Sequence, residues 1–233
     1  MNVTLIEHTP NPERTVALAA RLCYSPTSID DLRDKLAESD IKSFLDKIMS
    51  LGHHSVLEHA SFTFGIEGIS RVTSHQLVRH RIASFSQQSQ RYVSHKDNFL
   101  SIMPESIAGN SEARQIFDFM SDAAHKAYAQ LVDMGIPAED ARYLLPNATE
   151  TKIVMTMNAR ELLHFFELRC CHRAQWEIRA MAVEMLRLVR PAAPVIFGNA
   201  GPGCVTAPCP EGKFCCGETE NVRAFYRNLS EAV

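Results

Sequence analysis

The order of elements along this 233-residue chain predicts an α+β fold: a single domain with a central antiparallel or mixed sheet packed against several helices. Strand candidates occur in short separated runs, at residues 3–8, in the alternating run 61–66 and in the β-branched patch within 147–157, and not as repeated βαβ units. Helical periodicity fills the intervals, most clearly over residues 111–134 and 174–189. No internal repeat and no obvious interdomain linker interrupts the pattern, and the length suffices to bury a sizeable core.

Taken in order, VTLIEH (3–8) reads as a first strand, and Pro12 opens a helix through Val16, Ala20 and Leu22 to about Tyr24. Asp30 or Asp31 is the expected cap of one following helix, whose buried stripe runs Leu32, Leu36, Ile41, Phe44, Leu45 and Ile48 until Gly52 ends it. Phe62, Phe64 and Ile66 alternate as a strand. From Ser70 to about His80 a helix stacks Arg71, His75 and Arg79 at i, i+4 and i+8. Residues 83–90 are serine-rich and polar and read as a loop, with Arg91 and Tyr92 starting a short strand.

Pro104 and Gly109 mark a surface connection. The long helix 111–134 presents Ile116, Phe119, Met120, Ala123, Ala127 and Leu131 as its apolar face, and Gly135 stops it. Pro137 and Pro146 bracket a short helix, and TKIVMTM is a strand. Asn158 with Glu161 forms a capping box before a mostly buried helix containing Leu162, Leu163, Phe165, Phe166 and Leu168. Whether that helix continues into 174–189 is left open by the residues between Arg169 and Arg173. The Gly-, Pro- and Cys-rich residues 196–233 are expected to be an irregular tail beyond a domain of residues 1–195.

Composition is that of an ordinary soluble protein, 45% hydrophobic and 22% charged, with a net charge of −3. That balance argues against nucleic-acid polymers or membrane surfaces as partners. The first residues lack the pattern of a signal peptide, and no apolar run reaches membrane-spanning length. The seven cysteines include the adjacent pairs Cys170–Cys171 and Cys215–Cys216, which suits reduced thiols and a cytoplasmic location.

Chemistry concentrates between Arg71 and Lys96. No carboxylate lies between Glu67 and Asp97, and that interval holds Arg71, Arg79, Arg81, Arg91 and Lys96 with three histidines. Interleaved Ser84, Ser86, Gln87, Gln88, Ser89 and Gln90 supply neutral hydrogen-bonding groups. Guanidinium forks beside hydroxyls and amides suit a phosphate-bearing ligand.

Arg79-His80-Arg81, then seven residues, then Ser89 resembles the signature of the flavin-dependent thymidylate synthases. GHHSVLEHASFTF (52–64), IPAEDARYLLP (136–146) and NARELLHFFELRCCHRAQWEIR (158–179) resemble further segments of that family in the same order, and together the resemblance spans about residues 17 to 190. It implies reductive methylation of dUMP to dTMP, with methylenetetrahydrofolate as carbon donor, NADPH as reductant and FAD between them. It also implies a homotetramer whose active sites are shared between subunits. By the same resemblance, Gln76, Arg79, Gln87, Gln88, Ser89, Gln90, Arg91 and Arg142 fall at dUMP positions, and Arg169 at the catalytic arginine beside the uracil. Ser55, Arg79, His80, Arg81, Gln87, Asn158, Arg160 and His164 fall at FAD positions. Ser86-Gln87 stands where many members carry Asn-Glu, and His164 where asparagine is common.

Rival readings attach to three groups. Ser89 as a nucleophile would need an oriented base, and His80 has no evident carboxylate partner in sequence, so a phosphate ligand is the preferred role. His53, His54, Glu58 and His59 suit a turn and helix start better than a metal site, and Cys204, Cys209, Cys215 and Cys216 lack paired CxxC spacing, so no metal is expected. An RNA-gripping module would need stacking aromatics, and only Phe85 and Tyr92 lie among the charges.

Overall fold

Alternating apolar and polar residues build the strands of one antiparallel sheet, in the order β1 (Asn2–His8), β2 (Ser61–Ser70), β4 (Glu150–Asn158), β3 (Ala83–Gln87). The computed structural model describes residues 1–36, 38–96 and 99–229. β2 buries Phe62, Phe64, Ile66 and Ile69, and β4 buries Thr151, Ile153, Met155 and Met157. β3 takes the first five residues of the loop expected over residues 83–90, and residues 88–90 remain irregular as expected. Ala83, Phe85 and Gln87 are half-buried while Ser84 and Ser86 are exposed. At the sheet edge such a strand is held by backbone pairing, so its weak apolar pattern conceals it. Arg91 and Tyr92 form a turn and not a strand, closed by the Val93 N–H donating to the Ser89 carbonyl at 3.0 Å.

Helix α1 (Pro12–Leu22) has the expected proline start and buries Val16, Ala17 and Ala20. The single helix expected next is two, α2 (Ile29–Lys35) and α3 (Glu38–Ser50). Arg14 donates to the carbonyls of Arg33 (2.6 Å) and Leu36 (2.8 Å), which satisfies the end of α2 and stops it there. Ser28, not Asp30 or Asp31, caps α2 by accepting from the Asp31 N–H. A 3-10 turn (His54–His59) precedes β2.

α4 (Arg71–Leu77) is shorter than expected, so Arg79 lies in the turn beyond it and not on its face. α5 (Glu105–Ala108) occupies the connection before α6 (Ser111–Asp133), which Asn110 caps through the N–H groups of Glu112 and Ala113. Within α6 only Tyr128 is fully buried. Ile116, Phe119 and Met120, read as part of its apolar face, are 65%, 70% and 58% exposed. α7 (Ala138–Ala141) and a 3-10 turn lead to β4.

α8 (Ala159–Arg169) and α9 (Trp176–Val189) are separate helices. Gln175 starts the second by accepting from the N–H groups of Glu177 and Ile178, each at 3.1 Å. Leu168, expected to be buried, is exposed. α11 (Thr219–Arg227), with α10 (Pro194–Phe197) at the boundary, gives part of the segment after residue 195 a regular structure that its composition did not predict, while residues 198–218 between them hold only short 3-10 turns. Side chains provide the partners that secondary structure does not. Arg223 donates to the carbonyls of Cys204 and Ala207, and buried Arg190 donates to those of Phe197, Ala200 and Tyr226.

The α+β domain contains two compact units, residues 1–2, 66–79 and 85–154 in one, residues 3–65, 80–84 and 155–233 in the other. In the first, Ile66, Ile69, Leu77, Tyr128 and Ile153 are buried. In this unit Gly68 needs its freedom: its φ is +70°, and a Cβ there would stand 3.2 Å from the Met1 backbone. The core of the second unit is aromatic, with Phe62 and Phe166 meeting Phe197 edge-on at 5.3 and 5.9 Å between ring centres.

Candidate active site

Within Arg79-His80-Arg81 the two arginines are exposed and the histidine between them is buried, 5% exposed. In the second unit the His80 ring packs edge-on to Phe165 at 4.9 Å, and both of its nitrogens have partners on α8. Nε2 faces the Nε–H of Arg169 at 3.0 Å, and Nδ1 lies 3.3 Å from Glu161 Oε1. Burial, with the charges of Arg169 and His164, pushes the His80 pKa down to about 4, so the ring is neutral at physiological pH. Burial also raises the Glu161 carboxyl, against the pull of His164, and lowers the Arg169 guanidinium. Arginine nevertheless keeps its proton at any working pH.

Beside these groups a cleft of about 470 Å³ is lined by His54, Glu58, Ile82, Asn158, Arg160, Glu161, Leu163, His164 and Glu167. Arg160 is paired with Glu58 at 2.5 Å, and Asn158 Oδ1 accepts the Glu161 N–H at 2.9 Å, while the Asn158 amide N–H groups have no partner among the described residues. Ser55 and Arg81, predicted to contact the cofactor, do not line this cleft. Glu58, with its carboxylate committed to Arg160, and His54 share the cleft wall.

The first unit carries a separate basic cluster. Arg91 Nε donates to Glu139 Oε2 at 2.7 Å, and Arg142 Nε donates to the Glu139 carbonyl at 3.1 Å. Burial and the neighbouring charge of Arg142 lower the pKa of Arg71. Arg91 is thus paired with the Glu139 carboxylate, while Arg142 is held on the backbone of the same residue, and guanidiniums so placed are of the type that suits a phosphate. Ser89 Oγ accepts the Arg91 N–H at 3.1 Å, and the Gln88 N–H is tied to the Lys152 carbonyl at 2.9 Å. Gln87 donates to Thr151 Oγ1 at 3.1 Å, an uncharged tether to β4. Gln76 is half-buried at the end of α4, and Gln90 is half-buried beyond β3.

A family model described as thymidylate synthase complementing protein matches residues 4–195. A flavin-dependent thymidylate synthase of Geobacter sulfurreducens is 64% identical, covering 99% of this chain and all of the relative. The chain belongs to the flavin-dependent thymidylate synthase family. Relatives of the same description from Clostridium tetani (48% identical, 97% of each chain) and Pyrococcus horikoshii (42%, 99% of each) extend the likeness over nearly the whole length. The chain is thus an enzyme of thymidylate synthesis that depends on a flavin.

The cleft residues fit such a cofactor. Arg160, His54 and the Asn158 amide offer donors for carbonyl or phosphate oxygens, and Ile82 with Leu163 offers apolar surface for a ring. One residue beside these groups was not singled out in the sequence as a neighbour of His80. Glu161 is the partner of His80, hidden because its position three residues after Asn158 is fully explained by a capping box. Arg71, named in the carboxylate-free interval but given no ligand, carries a pKa lowered by burial and by the charge of Arg142.

Proposed function

We propose that the enzyme converts dUMP to dTMP by reductive methylation, taking the carbon from 5,10-methylenetetrahydrofolate and the reducing equivalents from NADPH through FAD. The observation that carries this reading is Arg169, a half-buried cation whose Nε–H is held by a neutral histidine and whose Nη groups have no acceptor among the described residues. Uracil is a poor electrophile, and a fixed cation at its ring carbonyls stabilises the negative charge that develops there as bonding begins. Ser89 and Arg91, with Arg142, are the groups proposed to hold the nucleotide phosphate, and Gln76, Arg79 and residues 87–90 to flank it.

FAD supplies the redox exchange between NADPH and the transferred carbon when bound. Asn158, Arg160 and His164 are proposed to hold it, with Ser55, Arg79, His80, Arg81 and Gln87 also at cofactor positions. Ser55 and Arg81 are exposed, which in this reading makes them contacts for the outer parts of the cofactor.

The working form is proposed to be a cytoplasmic homotetramer with sites assembled from several subunits. The exposed Ile116, Phe119 and Met120 on α6 support assembly, as does an apolar groove of about 530 Å³ that Ile116 and Met120 line together with Phe117, Leu144 and Pro146. The family domain is read as residues 1–195 and residues 196–233 as a C-terminal extension, in keeping with the match to 4–195. The test is spectroscopic and chemical. Purified enzyme should carry a flavin absorption that bleaches with NADPH, and should form dTMP from dUMP and methylenetetrahydrofolate. A colourless protein that takes up no flavin on addition of FAD would sink the proposal.

A further inference from the structure

We propose that Glu161 is a positioning residue for the reaction, holding His80 in the Nδ1–H tautomer so that His80 Nε2 can accept from Arg169 and fix its guanidinium. This rests on the role of Arg169 given above. The tautomer follows from what each neighbour is able to do. Arginine has no acceptor, so the His80 nitrogen that meets Arg169 Nε at 3.0 Å must present its lone pair. A neutral imidazole has one N–H, which must then be on Nδ1, facing Glu161 Oε1 at 3.3 Å. Glu161 accepts it whether ionised or not, because a protonated carboxyl retains a carbonyl oxygen.

Both His80 and Glu161 are buried, 5% and 7% exposed, so water does not readily replace either bond. Without the Glu161 acceptor the ring is free to adopt the Nε2–H tautomer, which places donor against donor at Arg169. Among the described residues, the charged and titratable groups facing His80 are Glu161, His164 and Arg169, all on α8, so the geometry of the relay is set by one helix.

The test compares Glu161→Ala with Glu161→Gln in the flavin-loaded enzyme. The alanine variant should keep its flavin and lose about 10- to 100-fold in kcat through misplacement of the arginine, whereas the glutamine variant, which keeps an acceptor oxygen, should stay within about threefold of wild type. Nitrogen-15 spectra of the His80 ring give a readout separate from turnover, with Nδ1 protonated and Nε2 bare in the wild type and in Glu161→Gln. Equal inactivity of the two variants would show that the charge or a proton of Glu161 is needed, and would overturn positioning. So would wild-type kcat in Glu161→Ala, or a wild-type His80 protonated on Nε2. If Glu161→Ala does not fold, the wild-type spectrum together with Glu161→Gln turnover decides. Arg169→Ala separates the two layers of inference: undiminished turnover there removes the role of Arg169, while the His80 spectrum still reports whether the relay exists.

Discussion

Replacing Arg190 tests whether a single buried cation secures the C-terminal segment. The side chain is 5% exposed and has no carboxylate partner among the described residues. Its Nε, Nη1 and Nη2 donate to the carbonyls of Phe197 (3.2 Å), Tyr226 (2.6 Å) and Ala200 (3.0 Å). Burial lowers its pKa, the expected sign for a desolvated cation. Hydrogen bonds to a charged donor contribute about 1.5–3 kcal/mol each, so three give about 5–9 kcal/mol. Removing the cation recovers several kcal/mol of desolvation. Arg190→Met, which keeps the apolar stem and strands three carbonyls, should therefore destabilise by about 2–4 kcal/mol. With a urea m-value of about 3 kcal/mol/M, the unfolding midpoint at fixed protein concentration should fall by about 1 M. Limited proteolysis should cut first between α10 and α11 in the variant. A midpoint within about 0.2 M of wild type would refute the reasoning, because three unmade buried bonds are not silent.

Stability should also fall in acid through His80. Its pKa is about 4 when folded against an ordinary 6.5, so the folded state disfavours the proton. That contribution is fully present above pH 6.5 and disappears as the pH falls towards 4, up to about 3 kcal/mol over the interval. Urea unfolding of wild type and His80→Gln at pH 7 and pH 4.5 should show a steeper loss in wild type, and parallel losses would contradict it. Ser89→Ala should keep measurable turnover with weaker dUMP binding, whereas abolished chemistry with binding intact would restore the nucleophile reading. All seven cysteines are free thiols in the structure, so seven should react with a thiol reagent in denaturant without reductant. A count of five would reveal a disulfide.

Elements governed by local chemistry were legible in advance. Pro12 starts α1, Asn158 caps α8 and Gly135, at φ +84°, follows α6, each as its residue type requires. Elements governed by distant partners were not. β3 takes its form from pairing with β4, and the end of α2 from Arg14, twenty-two residues before Leu36. The tail could not be anticipated from its glycines and prolines because Arg190, outside it, and Arg223 bind its carbonyls. The apolar stripe of α6 was seen correctly as a stripe, but periodicity reports amphipathicity and not what covers the face.

The site divides along the same line. The sequence alone determined a carboxylate-free basic segment with interleaved amides and hydroxyls, which suits an anion, and its motifs resembled those of the family to which the chain belongs. Only the tertiary structure decided that His80 turns inward between two exposed arginines, and that Glu161 serves it across 81 residues of chain as well as standing in a helix cap. Residue types and spacing state which hydrogen bonds a side chain is able to make. Which one it makes in a buried place depends on what packing brings within 3.3 Å.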